Sequence, residues 1–356
     1  METTEHLFPW LDLIDRPAFC VKNGLVVASN SAAQGRMLRA GTDIKEIVTE
    51  HWEPYQNFTS GSLFLTITAG GLPYNASVNR TEDCDVFILE QGDNTDQLQA
   101  LALAAQQLRI PLSNVMTAAD RLFTNTENTN SQTQQQTGQL QHGLFQLLRI
   151  ISNMSDSGGY CEKPLTGMQT VNLTAVFREV IEKAQTAFES TGIKLVYIEP
   201  ETPILSLANS EKLERAAYNL LSNAVKFSPA GSTVEIKLST GSNYISFTVC
   251  NICDEPVQER HFWNRYRRIP AIEDSRHGLG LGMTLIGAVA TAHGGTVLID
   301  HPDSQSTRVT MTIAIAKDNS DTVRSPVMRI GDYAGGRDKA LLEFADLLPS
   351  DAYDNI

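Results

Sequence analysis

Short runs of apolar residues flank an Asn-Gly pair near the start of the chain and predict a β-hairpin. The pair, Asn23-Gly24, lies at the centre of FCVKNGLVVAS, and both residue types tolerate the positive φ angles that a two-residue hairpin turn requires. A segment of helical composition follows, with Asn30 or Ser31 as its candidate N-cap. Three more runs, SLFLTITA, YNASVNR and CDVFILEQ, predict further strands. Residues 10–92 are therefore interpreted as a small α/β unit.

Between residues 96 and 157 the apolar positions recur at alternating spacings of three and four, which is typical of helices that pack against one another. One run extends from Leu98 to Leu122 and a second from Leu140 to Met154. The polar stretch between them, NTENTNSQTQQQTG, is predicted to be a loop. A lone two-helix hairpin has a narrow core. Pairing of residues 98–154 with a second copy in a four-helix bundle is therefore favoured over a hairpin that lies on the neighbouring domains.

Helical and strand patterns are mixed from about Met168 to Ala316, after a linker rich in Gly and Ser. The tail that follows contains a short amphipathic stretch, DKALLEFADLLP, and it could either dock on the body of the protein or bind a partner. These changes of pattern predict four segments, at residues 1–95, 96–160, 161–317 and 318–356.

The formal net charge of −13 argues against a general affinity for nucleic acid or anionic lipid, because both require clustered Lys and Arg. It leaves room for a local pocket that binds an anionic nucleotide. No stretch approaches the roughly 20 uninterrupted apolar residues of a membrane-spanning helix. The first residues, METTEHLFPW, place acidic groups before apolar ones, which is the wrong order for a secretory signal. The sequence thus predicts a cytoplasmic protein with no membrane insertion and no nucleic-acid partner.

Few of the cysteines and histidines suggest chemistry. Cys250 and Cys253 form one C-x-x-C pair, but neither a second pair nor a nearby histidine completes a metal site. Two small residues at the end of a buried strand are the simpler interpretation. His51 and His142 lie in no recognisable motif and are predicted to be surface residues.

One predicted helix carries a polar face with a distinctive set of side chains. In SEKLERAAYNLLSNAVKFSPAGS the apolar residues form one stripe, while Asn219, Asn223 and Lys226 are spaced by four and three and share another face. A carboxamide oxygen is a suitable ligand for Mg²⁺, and an ammonium group can neutralise phosphate charge. The competing interpretation is a polar helix face turned to water.

Downstream, three glycines precede an apolar helix that ends near His293. Gly278, Gly280 and Gly282 lie in RHGLGLGMTLIGAVATAHGG. Glycine lets the backbone approach a ligand closely, and a helix N-terminus offers free N–H groups to phosphate. No G-K-[ST] follows and no Rossmann unit surrounds the glycines, so neither of those phosphate-binding motifs is present.

In this order the two segments resemble the ATP-binding domain of sensor histidine kinases, a Bergerat-fold α/β sandwich shared with gyrase-type ATPases. NLLSNAVKFSP is similar to the N box of that family and GLGLGM to its G2 box. Phe262 is similar to the F-box residue, and Arg265 then falls in the lid over the nucleotide, with Arg267 and Arg268.

The resemblance implies a binding site for ATP and Mg²⁺. Asn219, Asn223 and Lys226 would hold the metal and the phosphates, with Asn223 as the metal ligand, and the three glycines would wrap the triphosphate. It also implies a multidomain α+β chain: a sensor domain, a two-helix dimerisation hairpin and the ATP-binding domain. The N-terminal hairpin, short helices and meander resemble a PAS sensor.

The sequence departs from the family where the chemistry takes place. AQQLRIPL falls at the phosphoacceptor motif, but Gln106 replaces the histidine. The nitrogen of a carboxamide shares its lone pair with the carbonyl and is not a usable nucleophile.

The G1 box, D-x-G-x-G in the family, aligns with Asn251, Cys253 and Glu255. Asn251 would keep one acceptor for the adenine amino group but lose the charge, and the two glycines are replaced. A combined loss of ~1–3 kcal/mol would weaken nucleotide binding by about tenfold to a hundredfold. The position of the water-activating glutamate of gyrase-type ATPases is Asn219, which disfavours a freestanding ATPase.

Three hypotheses follow. The first is a dimeric member of the family that binds nucleotide but does not phosphorylate itself, and that pairs with a response regulator or an active kinase. The second is an ATP-dependent kinase that phosphorylates a histidine of a partner protein. The third is a scaffold that binds no nucleotide.

Overall fold

The computed structural model describes residues 10–11, 14, 16–81, 83–89, 131–159, 167–253, 281–315, 334 and 336–353. Between 104 and 119 it also describes positions 104, 105, 108, 112, 113, 115–117 and 119, all of them helical.

Apart from the helical positions between 104 and 119, the described residues form twelve strands and eight α-helices. The strands are β1 Ala18–Lys22, β2 Leu25–Ser29, β3 Ser62–Ala69, β4 Leu72–Arg80, β5 Asp85–Leu89, β6 Gln169–Asn172, β7 Lys194–Ile198, β8 Leu205–Ala208, β9 Thr233–Thr240, β10 Tyr244–Ile252, β11 Val297–Asp300 and β12 Ser306–Ala314. The helices are α1 Ser31–Gln34, α2 Ile44–Ile47, α3 Trp52–Asn57, α4 Ser131–Gly159, α5 Leu173–Phe188, α6 Ser210–Lys226, α7 Leu281–Ala292 and α8 Lys339–Glu343. Short 3₁₀ turns occupy Glu189–Thr191 and Ser350–Tyr353.

The predicted N-terminal hairpin is confirmed. β1 and β2 pair antiparallel, and Asn23 and Gly24 between them have φ of 53° and 79°, as a hairpin turn with two left-handed residues requires. Asn30 is the N-cap of α1, where its side-chain oxygen accepts a 3.0 Å bond from the Ala33 N–H. The three following strands also form where the alternating pattern predicts them, and this half of the sheet has the order β2-β1-β5-β4-β3.

The C-terminal half of the sheet has the order β11-β12-β10-β9-β7. Alternate residues of β9 and β10 are buried, since one face of these strands packs against helices. Phe177 of α5, for example, stacks on Phe247 of β10 with ring centroids 4.5 Å apart. β6 and β8 form a separate two-stranded sheet.

The two halves join edge to edge, so the described strands other than β6 and β8 make one ten-stranded sheet. The join is an antiparallel pairing of β3 with β11, in which Phe64 lies opposite Val297 and Leu63 opposite Leu298. Leu298 packs against the core of the N-terminal half and Phe64 against that of the C-terminal half. Each strand thus contributes apolar area to the other unit, which ties the two units together.

Helix α4 begins inside the stretch predicted to be a loop. The loop prediction for residues 131–138 was therefore wrong, because this polar run continues the second heptad helix and even Gly138 lies within it. The apolar positions of the heptad pattern in α4 fall into two classes, one buried and one exposed. Leu144 and Ile151 are buried within the chain, whereas Leu140 and Leu147 are each 50% exposed.

The first heptad segment divides in the same way. Ala105, Leu112 and Ala119 are buried, whereas Leu108 and Val115 are 51% and 54% exposed. Positions seven residues apart share one environment, so one edge of the seam packs inside the chain and the other faces outward.

Two predictions about histidines were wrong. His51 is only 3% exposed, at the start of α3. His142 of α4 is half-buried: its Nε2 lies 2.6 Å from the carbonyl oxygen of Ala345, and its ring stacks on Tyr353. The contact between His142 and Tyr353 also decides between the two alternatives for the tail. It shows that residues 336–353 dock on the body of the protein.

None of the helices that the structure describes is both long and apolar enough to cross a lipid bilayer.

Gly61 is the most sensitive position in the junction between β3 and β11. Its φ is +92°, and a Cβ atom added there would lie 2.1 Å from the Ile299 carbonyl oxygen. Gly71 has a similar φ of +81° but open space around it. Gly61→Ala should therefore destabilise the chain by about 1–3 kcal/mol more than Gly71→Ala, because only the former adds overpacking to backbone strain.

Denaturant unfolding of the two variants measures this difference, and hydrogen exchange should locate the loss of protection at β3 and β11. Equal destabilisation by both substitutions would mean that the close approach of the two strands is not formed.

Candidate functional site

Helix α6 carries the predicted polar face. It begins at the N-cap Asn209, whose side-chain oxygen accepts a 3.0 Å bond from the Lys212 N–H. It ends at Phe227, whose N–H bonds to the Asn223 carbonyl. The predicted apolar stripe is buried at every position, namely Leu213, Ala216, Ala217, Leu220, Leu221, Ala224 and Val225. This burial fixes the rotation of the helix and so fixes where its asparagines point.

Asn219 and Asn223 face the start of α7. Asn219 is 3% exposed, and its amide donates a 2.9 Å bond to the Arg215 carbonyl, one turn earlier. A Cβ atom added at Gly282 would lie 3.1 Å from Asn219 Oδ1 and 3.8 Å from Asn223 Nδ2. The amide of Asn223 lies 3.7 Å from the sulfur of Met283. The structure therefore brings the two asparagines together with the third glycine of the predicted loop, across about 60 residues of sequence, and Asn219 is not turned to water.

Lys226 lies on α6 as well, whereas Asn251 lies on the neighbouring strand β10. Lys226 is in the last turn of α6 and is half-buried. Asn251 is 6% exposed on β10, in register with Phe247 and Val249 on the face that contacts the helices. Its amide donates to the Ile252 carbonyl at 3.1 Å. The other predicted site residues lie outside the described residues: Gln106, Phe262, Arg265, Gly278 and Gly280.

His293 is a positioning residue that the sequence patterns did not identify. Its Nε2 accepts a 3.1 Å bond from the backbone N–H of Asn209, the N-cap of α6, and its Nδ1 lies 2.7 Å from the Val289 carbonyl. This pattern requires the neutral ring with its proton on Nδ1. Burial lowers the pKa of His293 below its usual value, which also favours the neutral form. The only signal in the sequence was a histidine just before a Gly-Gly pair, and a helix end explained it equally well.

A cluster of buried charges behind α6 was also missed. Arg215 of α6, Arg149 of α4 and Glu343 of α8 have side chains only 2%, 9% and 1% exposed. In the sequence these residues are ordinary polar members of amphipathic helices, and nothing in the spacing joins them.

The C-x-x-C pair fits its structural interpretation. Cys250 lies in β10 and Cys253 just after it, both half-buried and free. Cys253 Sγ lies 3.1 Å from Thr307 Oγ1 on the neighbouring strand. Among the described residues, no group of three or more His, Cys, Asp or Glu side chains is placed to hold a metal ion.

Comparison with known proteins identifies the module that contains this site. Residues 208–317 match the family described as histidine kinase-, DNA gyrase B- and HSP90-like ATPase. The chain is 28% identical over 201 residues to the sensor protein KdpD of Clostridium acetobutylicum, and 24% identical over 217 residues to the sensor histidine kinase YcbM of Bacillus subtilis. The chain therefore contains a histidine-kinase-type ATPase domain, and it is similar to sensor histidine kinases over a longer stretch.

These matches cover only part of the chain. They span 54% and 59% of the chain, together with 22% of KdpD and 68% of YcbM. Full-length ShkA, solved in complex with AMPPNP, superposes with a TM-score of 0.49 at 22% identity, over 61% of this chain and 46% of that one. The chain thus spans less than a quarter of the length of the KdpD relative.

Burial of His293 predicts that the folded chain loses stability in mild acid. Since the pKa of His293 is lower in the folded state than in the unfolded state, the unfolded chain binds a proton first as the pH falls. Stability is therefore retained above the unfolded pKa and lost as the pH falls from there towards the folded pKa. The pKa of His51 is also lowered by burial and adds a change of the same sign.

We expect the thermal unfolding midpoint to fall between about pH 7.5 and pH 5.5, since this interval spans the usual pKa of histidine. The fall should be smaller in His293→Gln, which keeps a donor and an acceptor but does not titrate. An unchanged pH dependence in this variant would show that His293 does not contribute to it.

Proposed function

We propose that this chain is a signal-transduction protein that binds Mg-ATP but does not phosphorylate itself in cis. The observation that carries the proposal is the convergence of Asn219, Asn223 and Gly282. A second observation supports it: Gln106 occupies the position that resembles the phosphoacceptor.

The residues of the site fit a metal–nucleotide complex. Gly282 stands where any larger residue would press a Cβ atom against Asn219, so the chain keeps close backbone approach at the point where a phosphate-binding turn needs it. Carboxamide oxygens are hard ligands of the kind that Mg²⁺ accepts.

In this proposal Asn223 holds Mg²⁺, and Asn219 and Lys226 lie beside it toward the phosphates. Gly278, Gly280 and Gly282 wrap the triphosphate, and Asn251 accepts a hydrogen bond from the adenine amino group. Phe262 and Arg265 belong to the lid over the nucleotide. The metal would neutralise phosphate charge when bound.

Two features separate binding from catalysis. The carboxamide at Gln106 cannot take up a phosphoryl group, and Asn219 replaces the glutamate that would activate water in a hydrolase. Nucleotide occupancy would then act by changing the conformation or the partners of the chain. An active kinase that works in trans on a partner's histidine is the second candidate, supported by the same asparagines and glycine. A scaffold that binds no nucleotide is the third.

Calorimetric titration with Mg-ATP, combined with incubation with γ-labelled ATP, tests the proposal. We expect saturable binding, at least tenfold weaker in Asn223→Ala than in the wild type since a metal ligand is lost. We expect no label on the protein. Asn243→Ala is the matched control, because Asn243 is an exposed turn residue that bonds to Glu53, away from the site.

The absence of binding would favour the scaffold. Label on the isolated protein would contradict the proposal, and label that appears only on an added partner would favour the trans kinase.

We further propose that the chain is a cytoplasmic homodimer with a PAS-like sensor. The strand order β2-β1-β5-β4-β3 supports a PAS-like unit. The outward edge of the heptad seam supports self-association through residues 98–154, because Leu108, Val115, Leu140 and Leu147 are each half exposed or more. A second copy would cover this apolar strip as a four-helix bundle does. The hairpin could then engage a response regulator or an active kinase.

Charge placed on the exposed edge of the seam should abolish the dimer. We expect Leu147→Glu to shift the chain to a monomer in sedimentation velocity at micromolar concentration, because two carboxylates would face each other in the bundle. Leu205→Glu is the control, since Leu205 is 60% exposed on β8, outside the seam. A wild-type monomer, or a dimer that survives Leu147→Glu, would contradict this assignment.

A further inference from the structure

The C-terminal segment, residues 336–353, is packed into the protein as tightly as a core element. Leu342, Phe344, Ala345 and Tyr353 are completely buried. Phe344 lies between two elements of the body, with ring centroids 4.4 Å from Phe188 and 5.5 Å from Tyr218.

The same segment is tied to helix α4. Tyr353 stacks on His142, with ring centroids 5.0 Å apart, and packs against Phe145 at 5.2 Å. The Ala345 carbonyl lies 2.6 Å from His142 Nε2 and accepts a 3.2 Å bond from Gln146. The segment therefore touches α4 with one side and α5 and α6 with the other.

Buried charges complete this three-way contact. Glu343 lies 3.3 Å from the Nε of Arg215 on α6 and 3.9 Å from the Nε of Arg149 on α4. Arg149 also pairs with Asp346 at 2.6 Å. Two arginines from different helices thus share one buried carboxylate from the C-terminal segment. Removal of that carboxylate would leave two like charges desolvated, at a large free-energy cost.

Direct bonds reinforce the link between α4 and α6. Arg149 donates a 2.8 Å bond to Ser222 Oγ, next to Asn223, and Arg215 donates a 3.1 Å bond to Asn153 Oδ1. The backbone carbonyl of Arg215 also holds the amide of Asn219. The residues that anchor α4 are therefore neighbours, along α6, of the residues proposed to bind the nucleotide.

Helix α4 presents a different face to solvent. Leu140 and Leu147, half exposed, belong to the proposed dimer contact, whereas His142, Phe145 and Arg149 face the C-terminal segment. Helix α4 thus joins the proposed dimer interface to the back of the helix proposed to bind nucleotide.

We propose that the C-terminal segment is a brace that couples nucleotide occupancy to dimerisation. This inference rests on the proposed nucleotide binding and names its regulation. Bound Mg-nucleotide would order α6, and the brace would pass this ordering on to α4. The dimer would then form with a smaller loss of conformational entropy. Linkage requires the reciprocal effect, so the dimer would bind nucleotide more tightly than the monomer.

The test is the dimer dissociation constant of the full-length chain, measured by sedimentation with and without saturating Mg-ADP. We expect Mg-ADP to tighten the wild-type dimer by about fivefold or more, the lower end of typical coupling between sites. In Glu343→Gln and Asp346→Asn the ratio of the dimer dissociation constants without and with Mg-ADP should fall towards one. Each variant should still dimerise and bind Mg-ADP. Asp346 is 36% exposed, so its substitution keeps the test valid if Glu343→Gln does not fold.

Glu199→Gln is the matched control, because it removes an exposed Arg–Glu pair elsewhere on the same domain and should leave the ratio unchanged. Wild-type protein that binds Mg-ADP with no change in dimerisation would overturn the brace but not the proposed function. Coupling that survives in both brace variants would likewise overturn it. Failure of the wild type to bind Mg-ADP would overturn the proposed function and this inference together.

Discussion

Burial of one face of helix α6 forces the polar side chains on that face to find partners inside the protein. Asn219 meets this requirement by bonding to the Arg215 carbonyl, and Arg215 meets it by pairing with Glu343 and Asn153. Since unpaired buried polar groups are costly, these bonds hold the helix in one rotation and one register. The same constraint turns Asn219 and Asn223 towards the glycine end of α7. The candidate site is thus a consequence of how α6 is packed.

The packing around α6 is not confined to the ATPase-like domain at residues 208–317. The C-terminal segment and α4 belong to the same hydrophobic cluster as α5, α6 and the sheet. At the far edge of that sheet, β11 pairs with β3 and extends the ladder into the N-terminal unit. Strands of the first and third predicted segments therefore share one sheet, and the last three segments share one hydrophobic core, while the N-terminal unit keeps a core of its own. Strand β3 of the N-terminal unit thus contacts both β11 and the helix α7 that precedes it.

Prediction from sequence succeeded where the signal was local. The Asn23-Gly24 turn, the Asn30 cap and the apolar stripe of α6 depend on residues close together in the chain, and all three formed as expected. It failed for His51 and His142, because a histidine carries no periodic signal and its burial depends on distant segments. It failed also at residues 131–138, where polar composition concealed a helix. The grouping of Asn219 with Gly282 was expected only through resemblance to a family.

The sequence by itself determined the N-terminal hairpin and its following strands, the apolar stripe of α6, and the presence of Gln106 in the segment that resembles a phosphoacceptor motif, since these depend on residue identity and local spacing. Only the tertiary structure decided which edge of the heptad seam faces outward, that β3 joins β11, and that Glu343 lies between Arg149 and Arg215. Such contacts join positions tens to hundreds of residues apart. Their stability comes from burial and charge pairing within the folded core, and a short window of sequence contains neither.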